Sequence, residues 1–204
     1  QNGDVKKYYP ILEKDSHLSY PCIFNHLGKF YMVPESCSTK SIELYECQIP
    51  FIKWQLKKTI MQNVNAVDPT LFFHHGKWWL FTGMREVAGV YPDVELFLFY
   101  ADSLFSDNWV SHPCNPIISD VSRARPAGMP FIHHDKLYRP SQNCLDFYGS
   151  SFNINEIIQL SETDYKEQKI LTVHPDNCKQ IQATHTYNYF LKYSIMDALN
   201  WKPK

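Results

Sequence analysis

The stretch "AVDPTLFFHHGKWWLF", residues 66–81, decides the fold. Asp68-Pro69 opens an apolar run, His74-His75-Gly76-Lys77 interrupts it, and two tryptophans resume it. Two adjacent histidines invite a metal reading. On a strand, however, neighbouring side chains point to opposite faces, so His74 and His75 are not expected to grip one ion. Gly-Lys between two aromatic-rich runs reads instead as a tight turn joining antiparallel strands.

The pattern recurs. "YPCIFNHLGKFYMVPES" (20–36), "DPTLFFHHGKWWLFTGM" (68–84) and "AGMPFIHHDKLYRPSQN" (127–143) align without a gap. Each runs from an apolar strand through His and a Gly-Lys or Asp-Lys turn to an aromatic-led strand. Phe24, Phe72 and Phe131 share one column; Tyr31, Trp79 and Tyr138 share another. "LYECQIPFIKW" (44–54) and "LFYADSLFSDNW" (98–109) extend the first two copies, "SSFNINEIIQL" (150–160) and "QKILTV" (168–173) extend the third, and "QATHTYNYFLKYS" (182–194) starts a fourth. Units of this length with about four strands each are the mark of β-propeller blades, which stack because one blade cannot bury both faces alone. The expected units are 19–65, 66–122, 123–178 and a partial 179–204, within a single domain over 1–204.

Composition leans toward an all-β chain, since aromatic residues make up 15% and Gly plus Pro together number 20. The formal net charge of −1 provides no basic field for nucleic acid or an acidic membrane surface, so neither nucleic acid nor a membrane is expected as a partner. The six cysteines show neither a C-x-x-C pair nor zinc-finger spacing and are read as reduced thiols. With no signal-peptide pattern and no apolar stretch of membrane-spanning length, a cytoplasmic setting is expected. Neither a metal nor another cofactor is expected. Gln1 in place of Met suggests that an upstream piece is missing.

The stretches "HLSYPCIFNHLGKFYMVPES", "DPTLFFHHGKWWLF", "WVSHPCNPI" and "RPAGMPFIHHDKLYRPSQN" together resemble the propeller domain of glucosamine inositolphosphorylceramide transferases, also found beside some bacterial formyltransferase-like domains. That domain is similar in turn to the five-bladed arabinanase, β-xylosidase and invertase-like glycosidases. The resemblance implies a β-propeller of the five-bladed glycosidase-like type, here with about three full blades and partial blades at both ends, the first full blade lacking. It also implies a carbohydrate-related role. The expected partner is a carbohydrate or sugar conjugate, with a homo-oligomer or a missing upstream domain covering any open side.

Innermost propeller strands line a central funnel, so the candidate site is sought in repeat columns that break the repeat. Asp68 stands in the column of Tyr20 and Ala127, at the Asp-Pro position that resembles the acidic site of the glycosidases. Glu35 stands in the column of Gly83 and Gln142. Together Asp68 and Glu35 are the candidate pair of carboxylates for glycoside hydrolysis. Arg125 precedes Pro126-Ala127-Gly128 where the resemblance would place a general-acid Glu; losing that acid favours a non-catalytic sugar- or protein-binding module accessory to a transferase, whereas the non-repeating acids favour the leading reading, a glycosidase-like propeller that binds or processes a glycan or sugar conjugate. Arg125, Arg85, Gln142 and His185 are the candidate substrate-binding residues, and Arg123 and Arg139 are expected on the same side. Each Arg has an alternative role as a tie between blades, and His185 one as a satisfied core histidine. Residues 84–95 are expected to overhang the site.

Overall fold

The computed structural model describes residues 9–49, 51–84, 94–175, 181–190 and 192–200. Three antiparallel sheets follow one another along the chain. The first is β1 (Ser19–His26), β2 (Lys29–Glu35), β3 (Ser41–Ile49) and β4 (Lys53–Gln62), in that spatial order. The second comprises β5 (Ala66–His74), β6 (Lys77–Met84) and β7 (Glu95–Ala101), with the outer edge of β7 shared between β8 (Val110–Ser111) and β9 (Ile118–Ser119). The third is β10 (Phe131–His133), β11 (Lys136–Asn143), β12 (Ser151–Leu160) and β13 (Tyr165–Val173). The segment read as the start of a fourth unit forms two small ladders. One pairs β14 (Ile181–Ala183) with β17 (Leu199–Asn200), the other β15 (Tyr187–Phe190) with β16 (Tyr193–Met196).

The aligned columns become cross-strand pairs. Phe24 faces Tyr31, Phe72 faces Trp79 and Phe131 faces Tyr138, one aromatic pair in the first hairpin of each sheet. The turns between them, Leu27-Gly28, His75-Gly76 and His134-Asp135, have positive φ at both positions, the backbone that lets a two-residue loop follow the strand twist. One sequence expectation is corrected at these turns. Because His75 and His134 sit in the left-handed region rather than on a strand, the rings of His74 and His75 come within 3.9 Å, and those of His133 and His134 within 4.1 Å. No group of three potential ligands accompanies either pair among the described residues.

Alternation along β6 sends its two tryptophans to different cores. Trp78 packs with Phe24, Tyr31, Val33 and Leu44 of the first sheet. Trp79 and Phe81 pack with Leu137 and Ile157 of the third. The middle sheet is thus apolar on both faces, which is why β6 reads as a continuous hydrophobic run. Arg139 shares a face with Leu137, two residues along β11, and is fully buried. It donates from Nε and Nη2 to the two carboxylate oxygens of Glu167 at 2.9 and 2.8 Å, and from Nη2 to the Arg123 carbonyl at 2.8 Å. Tyr165 donates to the same carboxylate at 2.6 Å and lays its ring edge-on to Phe81 of the middle sheet.

The stretch "WVSHPCNPI" ties the second sheet to the third. Buried His112 accepts the Cys114 amide on Nδ1 at 3.1 Å, which leaves Nε2–H to donate to the Ser161 carbonyl at 2.9 Å. Asn115 answers both backbone groups of Leu98, at 2.8 and 2.7 Å, and so takes the place of a strand between β8 and β9. The five cysteines among the described residues are free. No helix of the described residues is long and apolar enough to cross a membrane.

Candidate functional site

The site grows from an irregularity shared by two innermost strands. Tyr20 and Asp68, which fall in one repeat column and each precede a proline, have φ of 43° and 49°. The pairing register slips at both places, between Ser19 and Cys22 and between Val67 and Thr70. A left-handed residue that carries a side chain is strained, and a bulge of this kind re-aims that side chain out of the alternation of its strand. The two aimed residues meet through Thr70, whose hydroxyl lies 3.1 Å from Tyr20 Oη and donates to the Asp68 carbonyl at 3.0 Å.

Around Asp68 gather three of the other sequence-selected residues. Glu35, the last residue of β2, accepts the Asp68 amide on Oε2 at 3.1 Å. Arg125 donates from Nε to Asp68 Oδ2 at 2.6 Å and places Nη2 3.8 Å from Glu35 Oε2. Gln142 donates from Nε2 to the same Asp68 oxygen at 3.1 Å and to the Pro126 carbonyl at 3.0 Å. Arg125 is positioned by its backbone. Its carbonyl accepts the Gln142 amide at 2.8 Å, Pro126 bridges to Ser141, and the Ala127 amide donates to Pro140, so residues 125–127 run along the end of β11.

Electrostatics follow from burial. Asp68 is 3% exposed. Loss of hydration pushes its carboxyl up to about 7; Arg125 opposes that shift, and Glu35 beside it adds to it. The Tyr20 hydroxyl is likewise driven well above its usual range, by burial first and then by Asp68. Above Arg125 lies the ring of Tyr148, 4.8 Å from the guanidinium carbon. Tyr148 is half exposed, and burial and Asp68 raise its hydroxyl while Arg125 lowers it.

Among the described residues His185 meets this group through Tyr148, whose ring it contacts edge-on at 5.4 Å. Its Nδ1 is paired with Asp197, the carboxylate that also accepts the His185 and Thr186 amides at 2.9 and 2.7 Å. His185 is therefore a held residue at the rim rather than a member of the carboxylate cluster. Arg139 belongs to the interior of the third sheet, and Arg123 pairs with Asp120 at 3.1 Å, so neither adds a guanidinium to the site. Arg85 and most of the 84–95 excursion lie outside the described residues. Tyr20 and Tyr148 were not singled out in the sequence. Tyr20 had a signal in sharing the column of Asp68, whereas Tyr148 sits in a loop that no repeat column covers.

A cavity of about 180 Å³ opens beside Tyr20, between Pro21, Gly128, Met129, Thr186 and Asn188. Its far wall is held tightly: the Tyr187 amide donates to the Ala127 carbonyl at 2.7 Å, and Gly128 lies so close to Tyr187 that a Cβ would stand 1.9 Å from its carbonyl oxygen. The arrangement is a buried acid pair held by one Arg and one Gln, and Tyr20, joined to Asp68 through Thr70, lines the adjoining cavity.

Comparison with known proteins agrees with this architecture. Residues 5–198 match the family model described as glucosamine inositolphosphorylceramide transferase 1, N-terminal. The chain is 35% identical over 158 residues to glucosamine inositolphosphorylceramide transferase 1 of Oryza sativa subsp. japonica, covering 76% of this chain and 21% of that protein. Against the Arabidopsis thaliana protein of the same name the identity is 32% over 161 residues, covering 78% and 21%. The chain thus spans about a fifth of the length of these relatives. Among solved structures, the GH43_1 enzyme from Xanthomonas citri complexed with xylose superposes with a TM-score of 0.62 at 9% identity, over 89% of this chain and 66% of that one. Bacteroides ovatus Xyloglucan PUL GH43B superposes with a TM-score of 0.59 at 14% identity, over 91% and 36%. At such identities the likeness speaks for the fold alone, a glycosidase-like β-propeller. The chain belongs to the family of the N-terminal domain of glucosamine inositolphosphorylceramide transferase 1.

Proposed function

We propose that this chain is a carbohydrate-recognition propeller domain that binds the sugar portion of a glycan or sugar conjugate without cleaving it, in the service of a transferase. One observation carries the reading. The Asp68 and Glu35 carboxyls both lie against Arg125, at 2.6 and 3.8 Å, and Glu35 also accepts the Asp68 amide at 3.1 Å, whereas the two carboxyls of a working glycosidase stand about 5–9.5 Å apart to admit the sugar or an attacking water. A buried pair clasped by one guanidinium holds its neighbours in place. It does not bracket a scissile bond. Arg125, Gln142 and Glu35 then hold Asp68 in its strained position, and Tyr20, Thr186 and Asn188 around the cavity, with Tyr148 over Arg125, supply rings and hydrogen-bonding groups suited to a hydroxyl-rich ligand. The relatives are named glucosamine inositolphosphorylceramide transferase 1, and the ligand on this reading is the sugar or inositol-phosphate headgroup of such a conjugate.

A second reading has its own support. A carboxyl whose pKa is about 7 is poised to donate a proton near neutrality, the property of a general acid. The two readings separate by titrating soluble oligosaccharides and inositol-phosphate glycosides into wild type and the Asp68→Asn, Glu35→Gln and Arg125→Ala variants, with hydrolysis followed in parallel. Binding without turnover that falls at least about tenfold in Arg125→Ala, about 1.4 kcal/mol, is the expected result. Turnover that disappears in the two carboxylate variants would replace the binding module with an enzyme. Folded variants that match wild type toward every ligand bound would remove these residues from the site.

A further inference from the structure

The loop that joins β11 to β12 carries Leu145, Phe147 and Tyr148, which are 64%, 51% and 52% exposed, within four consecutive residues. Single exposed apolar side chains are ordinary, but three together at a loop tip form a patch. The loop is not slack. Asn143 accepts the Leu145 amide on Oδ1 at 3.3 Å and donates to Ser151 at 3.0 Å, Ser150 donates to the Asn143 carbonyl at 2.9 Å, and the Ser150 amide donates to the Phe147 carbonyl at 3.2 Å. Gly149, at φ +71°, fits against His185 so closely that a Cβ would lie 2.9 Å from that residue's own. A braced base therefore holds an apolar tip in water. The equivalent loop of the first sheet, Ser36–Lys40, is polar and exposes no large hydrophobic residue, so packing of the sheets does not call for the patch.

Its position says what it meets. Tyr148 is the inner residue of the patch and stacks on Arg125, which bonds Asp68, so the tip stands directly beside the candidate site. We infer that Leu145, Phe147 and Tyr148 form an interfacial anchor that enters the surface of a lipid layer and brings the pocket to a headgroup displayed there. This rests on the reading that the ligand is the sugar part of a ceramide-borne conjugate, because a tethered headgroup can enter only a pocket whose rim touches the layer. The chemistry suits the boundary region: Leu and Phe supply the apolar tip, and Tyr, with a ring body and a polar end, sits at headgroup depth. With a formal net charge of −1, attachment has no general electrostatic drive and depends on apolar contact.

Flotation of the full chain with phosphatidylcholine vesicles free of glycolipid tests this. Wild type is expected to float with the vesicles equally at about 0.1 and 1 M salt. The Leu145→Ser/Phe147→Ser variant, both changes at exposed positions, is expected to lose binding roughly tenfold or more, with its thermal unfolding unchanged. Wild type that stays with the soluble fraction, a variant that floats as well as wild type, or attachment abolished by salt would each overturn the anchor. Self-association in sedimentation that the same substitutions remove, with no flotation, would assign the patch to a protein contact instead. Soluble-glycan binding measured without vesicles reports on the pocket separately. Glycan binding without flotation removes only the anchor, and flotation without glycan binding removes only the pocket reading.

Discussion

Replacing Asp68 by Asn should change how stability depends on pH more than it changes stability itself. In the folded chain the Asp68 carboxyl binds its proton at about 7, against 3.8 for the ordinary side chain. The folded state therefore keeps a proton that the unfolded state releases over that interval, and stability must fall as pH rises through it. Below pH 3.8 both states are protonated and nothing is lost; above 7 both are ionised and the loss is complete. At 1.36 kcal/mol for each tenfold difference in proton affinity, the full loss is at most about 4 kcal/mol. In a domain of this size that corresponds to roughly 10 °C in Tm. Asn at position 68 keeps an acceptor for Arg125 and cannot titrate, so the Asn variant should gain on wild type by up to about 4 kcal/mol between pH 4 and 8. Urea unfolding of both proteins at half-unit pH steps, followed by tryptophan fluorescence, measures the difference, and carboxylates remote from Asp68 cancel in the comparison. Parallel profiles would show that Asp68 titrates normally and that the strained, desolvated acid is not present in solution.

The Arg139–Glu167 pair should behave as a buried ion pair with no solvent to rescue a lone partner. Arg139→Ala is expected to cost about 3–5 kcal/mol, and Arg139→Met with Glu167→Leu to recover most of it; equal urea midpoints for the single and double variants would contradict this. Gly128→Ala would set a Cβ against the Tyr187 carbonyl at a φ of +152°, so the segment 181–200 should lift from the third sheet and become cleavable in limited proteolysis. Cleavage there at the wild-type rate would show that the close approach is not required.

The hairpins were legible because their chemistry is local. A two-residue turn with positive φ favours Gly or Asp, and the aromatic columns flanking it are neighbours across the same turn, so "FFHHGKWW" carries both the turn and its register. Asp68, Glu35, Arg125 and Gln142 could be gathered from the sequence since each departs from a column that packing would otherwise repeat. Their mutual contact was not readable, because the distance between two blades' carboxyls depends on backbone bulges that no residue type announces. The same limit hid Arg139, which resembles a site arginine until Glu167, two strands away, is brought beneath it, and His112, whose partner Ser161 lies in the next sheet. The neighbouring rings of His74 and His75 escaped for a related reason: alternation holds along a strand and ends where the turn begins.

The three hairpin turns offer a practical consequence. Tyr20 and Asp68 lie at the starts of β1 and β5 and the turns at their far ends, about 20 Å away along an extended strand. Neither Gly28 nor Gly76 has a neighbour within the reach of an added Cβ. A fluorophore, biotin or short peptide tag spliced in at residues 27–28, 75–76 or 134–135 would tether the molecule to a sensor chip by the side opposite its pocket, leaving the mouth and the Leu145–Tyr148 loop presented to whatever flows past.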